Sequence, residues 1–176
     1  MEDSKFVKLA AAAVVLALSA ATATRAAEVV VAAGGTQPEI QAAVDELGGP
    51  GVILIPPGTW EFNPEGTDES TRTVIIPYSH VTVLGAGTEK TTLQRSTGGD
   101  QERHEFILCR PPSETEELEW IRVSGLNILG NRATDYHEWG IVMEKVSHAR
   151  IDHCRFEDLK QTGAQMRGAS SGVVDH

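Results

Sequence analysis

The sequence predicts an all-β chain wound as a solenoid, a stack of short parallel strands closed at its start by one α-helix. Three observations predict it. Val123-Ser124-Gly125-Leu126-Asn127-Ile128 returns as Ile151-Asp152-His153-Cys154-Arg155-Phe156, 28 positions on, and begins again at Val174-Asp175-His176, 23 positions later. Between these copies, Gly140-Ile141-Val142-Met143 is matched by Gly163-Ala164-Gln165-Met166, also 23 positions apart. A period of this order marks units that cannot bury their apolar faces alone and must stack on their neighbours. The third observation is composition: 17 glycines and 5% aromatic residues suit short strands and tight turns better than a helical bundle.

The 176 residues are enough for one domain with a real core. The net charge of −10 is unevenly placed: residues 1–120 carry 8 basic and 18 acidic side chains, and residues 121–176 carry 7 of each. No basic stripe is present to neutralise phosphates, so no nucleic acid is expected as a partner. Two cysteines, Cys109 and Cys154, are too few for a disulfide scaffold.

In chain order, Lys5 and Lys8 precede an apolar run over residues 9–18, and small residues continue to Ala27. This is the layout of a secretory signal peptide, assigned to residues 1–27, with Glu2 and Asp3 untidy in its basic end. The run is shorter than the ~20 residues that cross a bilayer. The expectation is a secreted or periplasmic chain, residues 28–176, with no membrane span after cleavage. Cys154 takes the inward place that Leu126 fills one copy earlier, so it reads as a small core residue and not as a disulfide partner.

Thr36-Gln37-Pro38-Glu39 is a capping box, and Ile40, Ala43, Val44 and Leu47 follow at helical spacing. Gly48 suits a left-handed stop. The spacing predicts a helix over residues 37–47, placed to cover the open end of the first coil. Gly49-Pro50-Gly51 turns the chain, Val52-Ile53-Leu54-Ile55 is a strand buried on both faces, and Pro56-Pro57-Gly58 breaks it. Strands are predicted at residues 52–55, 73–76, 81–84, 92–94, 106–109, 121–123, 126–128, 140–143, 149–151, 154–156, 164–166 and 172–174. Ile76, Ile107, Val142 and Gln165 are read as equivalent positions of successive coils.

Three segments carry a family resemblance. They are Ile40-Gln41-Ala42-Ala43-Val44-Asp45, then Gly51-Val52-Ile53-Leu54-Ile55-Pro56-Pro57-Gly58-Thr59-Trp60, then Val81-Thr82-Val83-Leu84-Gly85-Ala86-Gly87. Together they resemble the opening of pectate-lyase-like, right-handed parallel β-helix proteins, over about residues 36–176. The resemblance implies a capping helix and a right-handed β-helix. It implies no single reaction, because that scaffold carries polysaccharide lyases, glycoside hydrolases, uronate epimerases and proteins without catalysis. Gly85-Ala86-Gly87 is not a dinucleotide fingerprint: Lys90 stands where the third glycine belongs.

Candidate site residues fall in two places. Residues 130–138 form a long loop with Asn131, Arg132, Asp135, Tyr136, His137 and Glu138, followed by Trp139. An aromatic can stack on a pyranose, an arginine can take a carboxylate, and a carboxylate or histidine can move a proton or hold a cation. The second place is the turn at Asp152-His153, repeated at Asp175-His176. Carboxylates about 5 Å apart repel unless a cation or a base intervenes. With Arg150 and Arg155 they suggest a Ca²⁺ or substrate strip, although Asp and His are also ordinary turn residues, and calcium needs six or more oxygens. The run Glu114, Glu116, Glu117, Glu119 reads as a solvated face.

No hydrolase-type carboxylate cluster and no Arg-x-x-Arg lyase pattern is present. The chain stops mid-repeat at His176, so the N-terminal part of a longer protein is expected. The expected function is an exported β-helix protein binding a polysaccharide, pectin-like or otherwise uronate-containing. It would either cleave that glycan as a lyase or glycoside hydrolase, or bind it without catalysis at a cell surface or envelope.

Overall fold

The computed structural model describes residues 27–62, 73–95, 103–132, 137–168 and 171–175. The expected leader, apart from Ala27, lies outside these residues, as do Asp135, Tyr136 and His176. The chain starts with β1 (Glu28–Val31) and then forms its helix α1 (Gln37–Leu47), at the predicted place. The Glu39 carboxylate accepts hydrogen bonds from the Thr36 N–H at 3.1 Å and from the Thr36 hydroxyl at 2.6 Å. Ile40, Ala43, Val44 and Leu47 are buried, and Gly48 ends the helix at φ 58° with its N–H on the Val44 carbonyl.

The strands that follow are β2 (Gly51–Leu54), β3 (Gly58–Glu61), β4 (Val74–Ile76), β5 (Val81–Leu84), β6 (Thr91–Gln94) and β7 (Arg103–Cys109). After them come β8 (Leu118–Glu119), β9 (Arg122–Ser124), β10 (Asn127–Leu129), β11 (His137–Glu144) and β12 (Val146–Ser147). The last four are β13 (Ala149–Asp152), β14 (Arg155–Glu157), β15 (Thr162–Arg167) and β16 (Gly172–Val174). They form sheet A in the order β1-β2-β5-β9-β13-β16, sheet B as β3-β6-β10-β14, sheet C as β4-β7-β11-β15, and a small sheet of β8 and β12. Neighbouring strands run parallel throughout, for example β5 on β9 and β9 on β13. From β2 onward the chain visits the sheets in rotation, and each return lays a strand beside the previous one. The fold is therefore mostly β, with parallel sheets and one helix among the described residues. None of the described helical segments is long and apolar enough to cross a membrane.

In sheet A the inward positions stay in register from rung to rung: Val30, Ile53, Val83, Val123, Ile151 and Val174 pair in series. The first five are at most 6% exposed, and this is the column the repeat predicts at Val123, Ile151 and Val174. Sheet C corrects the other expected column. Ile107 pairs with Val74 and Ile141, and Val142 pairs with Leu108 and Gln165. The slip has a physical reason: Phe106, Ile107, Leu108 and Cys109 are all buried, as are Ile141, Val142 and Met143. When both faces of a strand are apolar, hydrophobicity does not mark register. The segment read as a Pro-Pro-Gly turn also contains β3, where Thr59 pairs with Thr92 and Trp60 with Leu93.

Both cysteines are free. Burial pushes the Cys109 thiol up to about 12, and Cys154 sits half-buried with its thiol 3.8 Å from the Val123 carbonyl. Edge strand β4 is covered by side chains from α1. Gln37 Nε2 donates to the Thr73 carbonyl at 3.0 Å, while Gln41 donates to the Ile75 carbonyl at 3.3 Å and accepts from its N–H at 2.8 Å. One helical turn thus matches two strand residues, and the glutamines occupy backbone groups that would otherwise invite another strand. Gln41→Ala is expected to destabilise by about 1–2 kcal/mol in a urea melt, the usual loss for an unsatisfied half-buried backbone group.

Candidate functional site

The outer face of sheet A brings the most functional chemistry together. Successive strand residues alternate faces, so the neighbours of the inward column point outward. One outward column runs Val29, Val52, Thr82, Arg122, Arg150, Val173. The column beside it runs Val31, Leu54, Leu84, Ser124, Asp152. Three residues before Val83, Val123 and Ile151 of the inward column stand His80, Trp120 and His148, and all three adopt left-handed backbone, at φ 60°, 56° and 55°. For non-glycine residues this conformation costs on the order of 1 kcal/mol and persists only where the surroundings enforce it. Here the next rung enforces it. The His80 N–H donates to the Glu119 carbonyl at 2.8 Å, the Trp120 N–H to the Ser147 carbonyl at 3.0 Å, and the His148 N–H to the Ser171 hydroxyl at 3.1 Å. Three rings are thereby carried on one edge of the sheet. Trp120 and His148 stack at 4.2 Å with planes 8° apart, and Trp120 remains 55% exposed.

Next to this edge lies a groove of about 640 Å³, lined among others by His80, Thr82, Trp120, Arg122, His148 and Arg150. Its two arginines are neighbours on adjacent rungs. Such like charges would repel, but a wholly buried carboxylate, Asp152, holds both. Arg122 donates Nε and Nη2 to it, each at 2.7 Å, and Arg150 Nε lies at 2.9 Å. The Ser124 hydroxyl donates at 2.6 Å, and His153 Nδ1 lies at 2.7 Å. The Arg122 hydrogen bonds, ahead of those from Ser124 and His153, hold the Asp152 carboxyl far below the usual carboxylate range, against its burial. In return Asp152 pushes Arg122 further up. Arg150 Nη2 also reaches Asp175 at 3.2 Å. Nη1 of each arginine makes no hydrogen bond or ion pair among the described residues, and the two side chains are 44% and 51% exposed. The result is a fixed pair of guanidinia beside a flat ring.

The residues expected from the sequence separate in space. Asp152 is the hub, with His153 beside it at φ 49° and 68% side-chain exposure. The Asp152–Asp175 ladder is bridged by Arg150, which relieves the repulsion for which a Ca²⁺ ion was one candidate. Among the described residues no group of three or more His, Cys, Asp or Glu is arranged to hold a metal. Arg155 does not join the strip. It lies on β14 of sheet B and pairs with Glu157 at 2.8 Å and Glu89 at 3.5 Å, because the turn at His153 sends the chain to another sheet.

The expected loop site divides as well. β11 begins at His137, so alternation puts His137 outside and Glu138 inside. Glu138 is fully buried, accepts from the Asn131 N–H at 2.9 Å and lies 3.9 Å from Arg95, whose side chain is also buried. Burial is the main influence and raises its carboxyl. Arg95 donates Nε to the Phe62 carbonyl at 3.1 Å and lies 4.6 Å over the Phe106 ring. Glu138 therefore serves an interior ion pair and not the surface. His137 and Trp139 remain together, ring centres 6.1 Å apart, with Gln161 2.6 Å from His137 and Arg167 5.9 Å from the Trp139 ring. Arg132 is exposed and donates to the Leu159 carbonyl at 3.5 Å. Asp135 lies outside the described residues.

The sequence reading missed His80, Trp120, Arg122 and His148. A signal was available: each ring stands three residues before Val83, Val123 or Ile151, the column the repeat already marked.

No family model matches the chain, and no curated protein matches it. Among solved structures, ORF18 of Geobacillus virus E2 is similar, with a TM-score of 0.56 and 18% identity over 72% of this chain. At that identity the likeness concerns the fold alone. The chain spans 25% of the length of that protein.

Proposed function

We propose that the chain is a right-handed parallel β-helix of the pectate-lyase-like kind, exported to a secreted or periplasmic location, that binds an acidic polysaccharide on the outer face of sheet A. The rotation through sheets A, B and C, with α1 set at the first rungs, supports a coil. Strand–crossover–parallel strand connections are right-handed in nearly all proteins, which supports the hand. One observation carries the functional reading: the exposed Trp120 ring stands beside Arg122 and Arg150, both fixed by Asp152. A pyranose presents an apolar face to such a ring, and a uronate presents a planar carboxylate to such guanidinia.

The Asp152 and Arg122 pair supports binding rather than proton transfer. Proton transfer needs a group whose ordinary protonation state can change near the working pH. Asp152 is held ionised by Arg122, and Arg122 is held protonated by Asp152. A lyase or hydrolase reading gains nothing from this pair.

Titration calorimetry on the folded protein tests the reading, using oligogalacturonate and a neutral oligosaccharide of equal length. The acidic ligand is expected to bind more tightly, and to weaken as salt screens the arginines. Trp120→Ala is expected to lower its affinity at least about tenfold, or ~1.4 kcal/mol. Unchanged affinity in Trp120→Ala, or a neutral ligand that binds more tightly than the acidic one, overturns the assignment.

A further inference from the structure

The groove beside Trp120 does not end at Thr82. A second hollow, of about 400 Å³, is lined by Glu28, Val52, His80 and Thr82 among others, and so shares His80 and Thr82 with the first. The two form one track across the rungs of sheet A, from β16 to β1. Six strands at ~4.8 Å spacing make it about 24 Å long. A track of that length running across the strands suits a linear polymer laid along the stack.

The chemistry of the track changes along its length. The outward positions of its first three rungs are Val29, Val52 and Thr82, with Val31, Leu54 and Leu84 beside them. Arg122 and Arg150 follow, and Val173 is last. Glu28 stands at the far end from the arginines. Among the described residues, the arginines of the outward column are thus confined to two adjacent rungs, while the outward positions of the opposite end are uncharged. The arginines themselves are balanced by Asp152 and Asp175. A pair so balanced casts little long-range field to gather a polyanion, and it recognises an anion in contact with it.

Resting on the sheet A binding reading above, we infer that the ligand is a linear heteropolysaccharide whose acidic units are separated by neutral ones. One acidic unit sits at Arg122 and Arg150, and neutral units lie over Thr82, Val52 and Val29. A homopolyuronate fits poorly. It would set carboxylates over aliphatic side chains, where they lose water without gaining a partner. Neutral sugars lose less there and cover the exposed valines.

The test compares two probes of equal length at one ionic strength by titration calorimetry. One is oligogalacturonate. The other is an oligomer of gellan, in which a single glucuronate recurs among neutral sugars. The gellan oligomer is expected to bind at least about tenfold tighter, and to keep gaining affinity as it is lengthened beyond one repeat. Thr82→Arg, which adds charge to the neutral half, is expected to narrow the gap by favouring oligogalacturonate. Equal or tighter binding of oligogalacturonate to the unaltered protein overturns the inference while leaving the acidic-glycan reading intact. Affinity that stops rising within one gellan repeat also overturns it. Failure of both probes to bind the folded protein removes the reading on which it rests.

Discussion

Replacing Asp152 with alanine is expected to lower folding stability by about 2–3 kcal/mol and to release both arginines of the groove. The carboxylate is wholly buried and takes hydrogen bonds or ion pairs from Arg122, Arg150, Ser124 and His153. Removing a buried charge that several donors share costs up to about 3–5 kcal/mol when the partners stay buried. Arg122 and Arg150 are half-exposed and regain water, which moves the figure to the lower side. Ser124 is only 6% exposed and does not. The variant also leaves two guanidinia on adjacent rungs with no anion between them, which is unfavourable.

The pH dependence has a definite sign. The folded-state carboxyl lies below its ordinary value of 3.8, chiefly through Arg122. The stabilisation is therefore complete above that value and is lost as pH falls below it, towards the folded-state value. The gap between wild type and Asp152→Ala is expected to be constant from pH 5 to 7 and to shrink below about pH 4. Urea melts at pH 7 and pH 3 measure it. A gap under about 0.5 kcal/mol at pH 7 would show that the hub adds nothing to the fold.

The uneven legibility of the chain follows from what each feature shows locally. Sheet A could be read because its inward column is apolar and its outward column is mixed, so Val123, Ile151 and Val174 identify their own register. Sheet C could not, because Leu108 and Val142 are buried on the other face. The helix was legible because Thr36, Glu39 and Gly48 mark its ends within the sequence. The ring edge was hidden by its residue types: a left-handed position advertises itself as Gly or Asn, and here it is His80, Trp120 and His148. Asp152 and Arg155 look like one site in sequence, yet a turn sends them to different sheets. Arg122, the strongest partner of Asp152, is 30 residues away and becomes a neighbour only through the parallel pairing of β9 with β13.

Gly85→Ala is expected to cost about 3 kcal/mol, near the top of the range for overpacking. The position reads in sequence as the first glycine of a Gly-x-Gly turn, and the structure gives its reason. A methyl group there would collide with the Gly125 carbonyl oxygen in the turn after β9 and come within 2.5 Å of Leu126 Cδ2. Leu126 is a flexible end that can shift; the Gly125 carbonyl is backbone and is tied to its own neighbours. The Gly87 N–H donates to that carbonyl at 3.0 Å, and the Gly125 N–H donates to His153 at 3.1 Å. The turns after β5 and β9 therefore meet backbone to backbone at this corner, and neither can retreat alone. Gly49→Ala is the control: no heavy atom lies within 4 Å of the added methyl, so a change within about 0.5 kcal/mol is expected. Equal melts for the two variants would mean that the two turns are not held at this spacing. The strain also has a route to the groove. Gly85 follows β5 directly, and β5 sets Thr82 beside Arg122. Prising β5 and β9 apart at Gly85 should separate the neutral half of the track from its charged half, so glycan affinity should fall together with stability in Gly85→Ala and stay unchanged in Gly49→Ala.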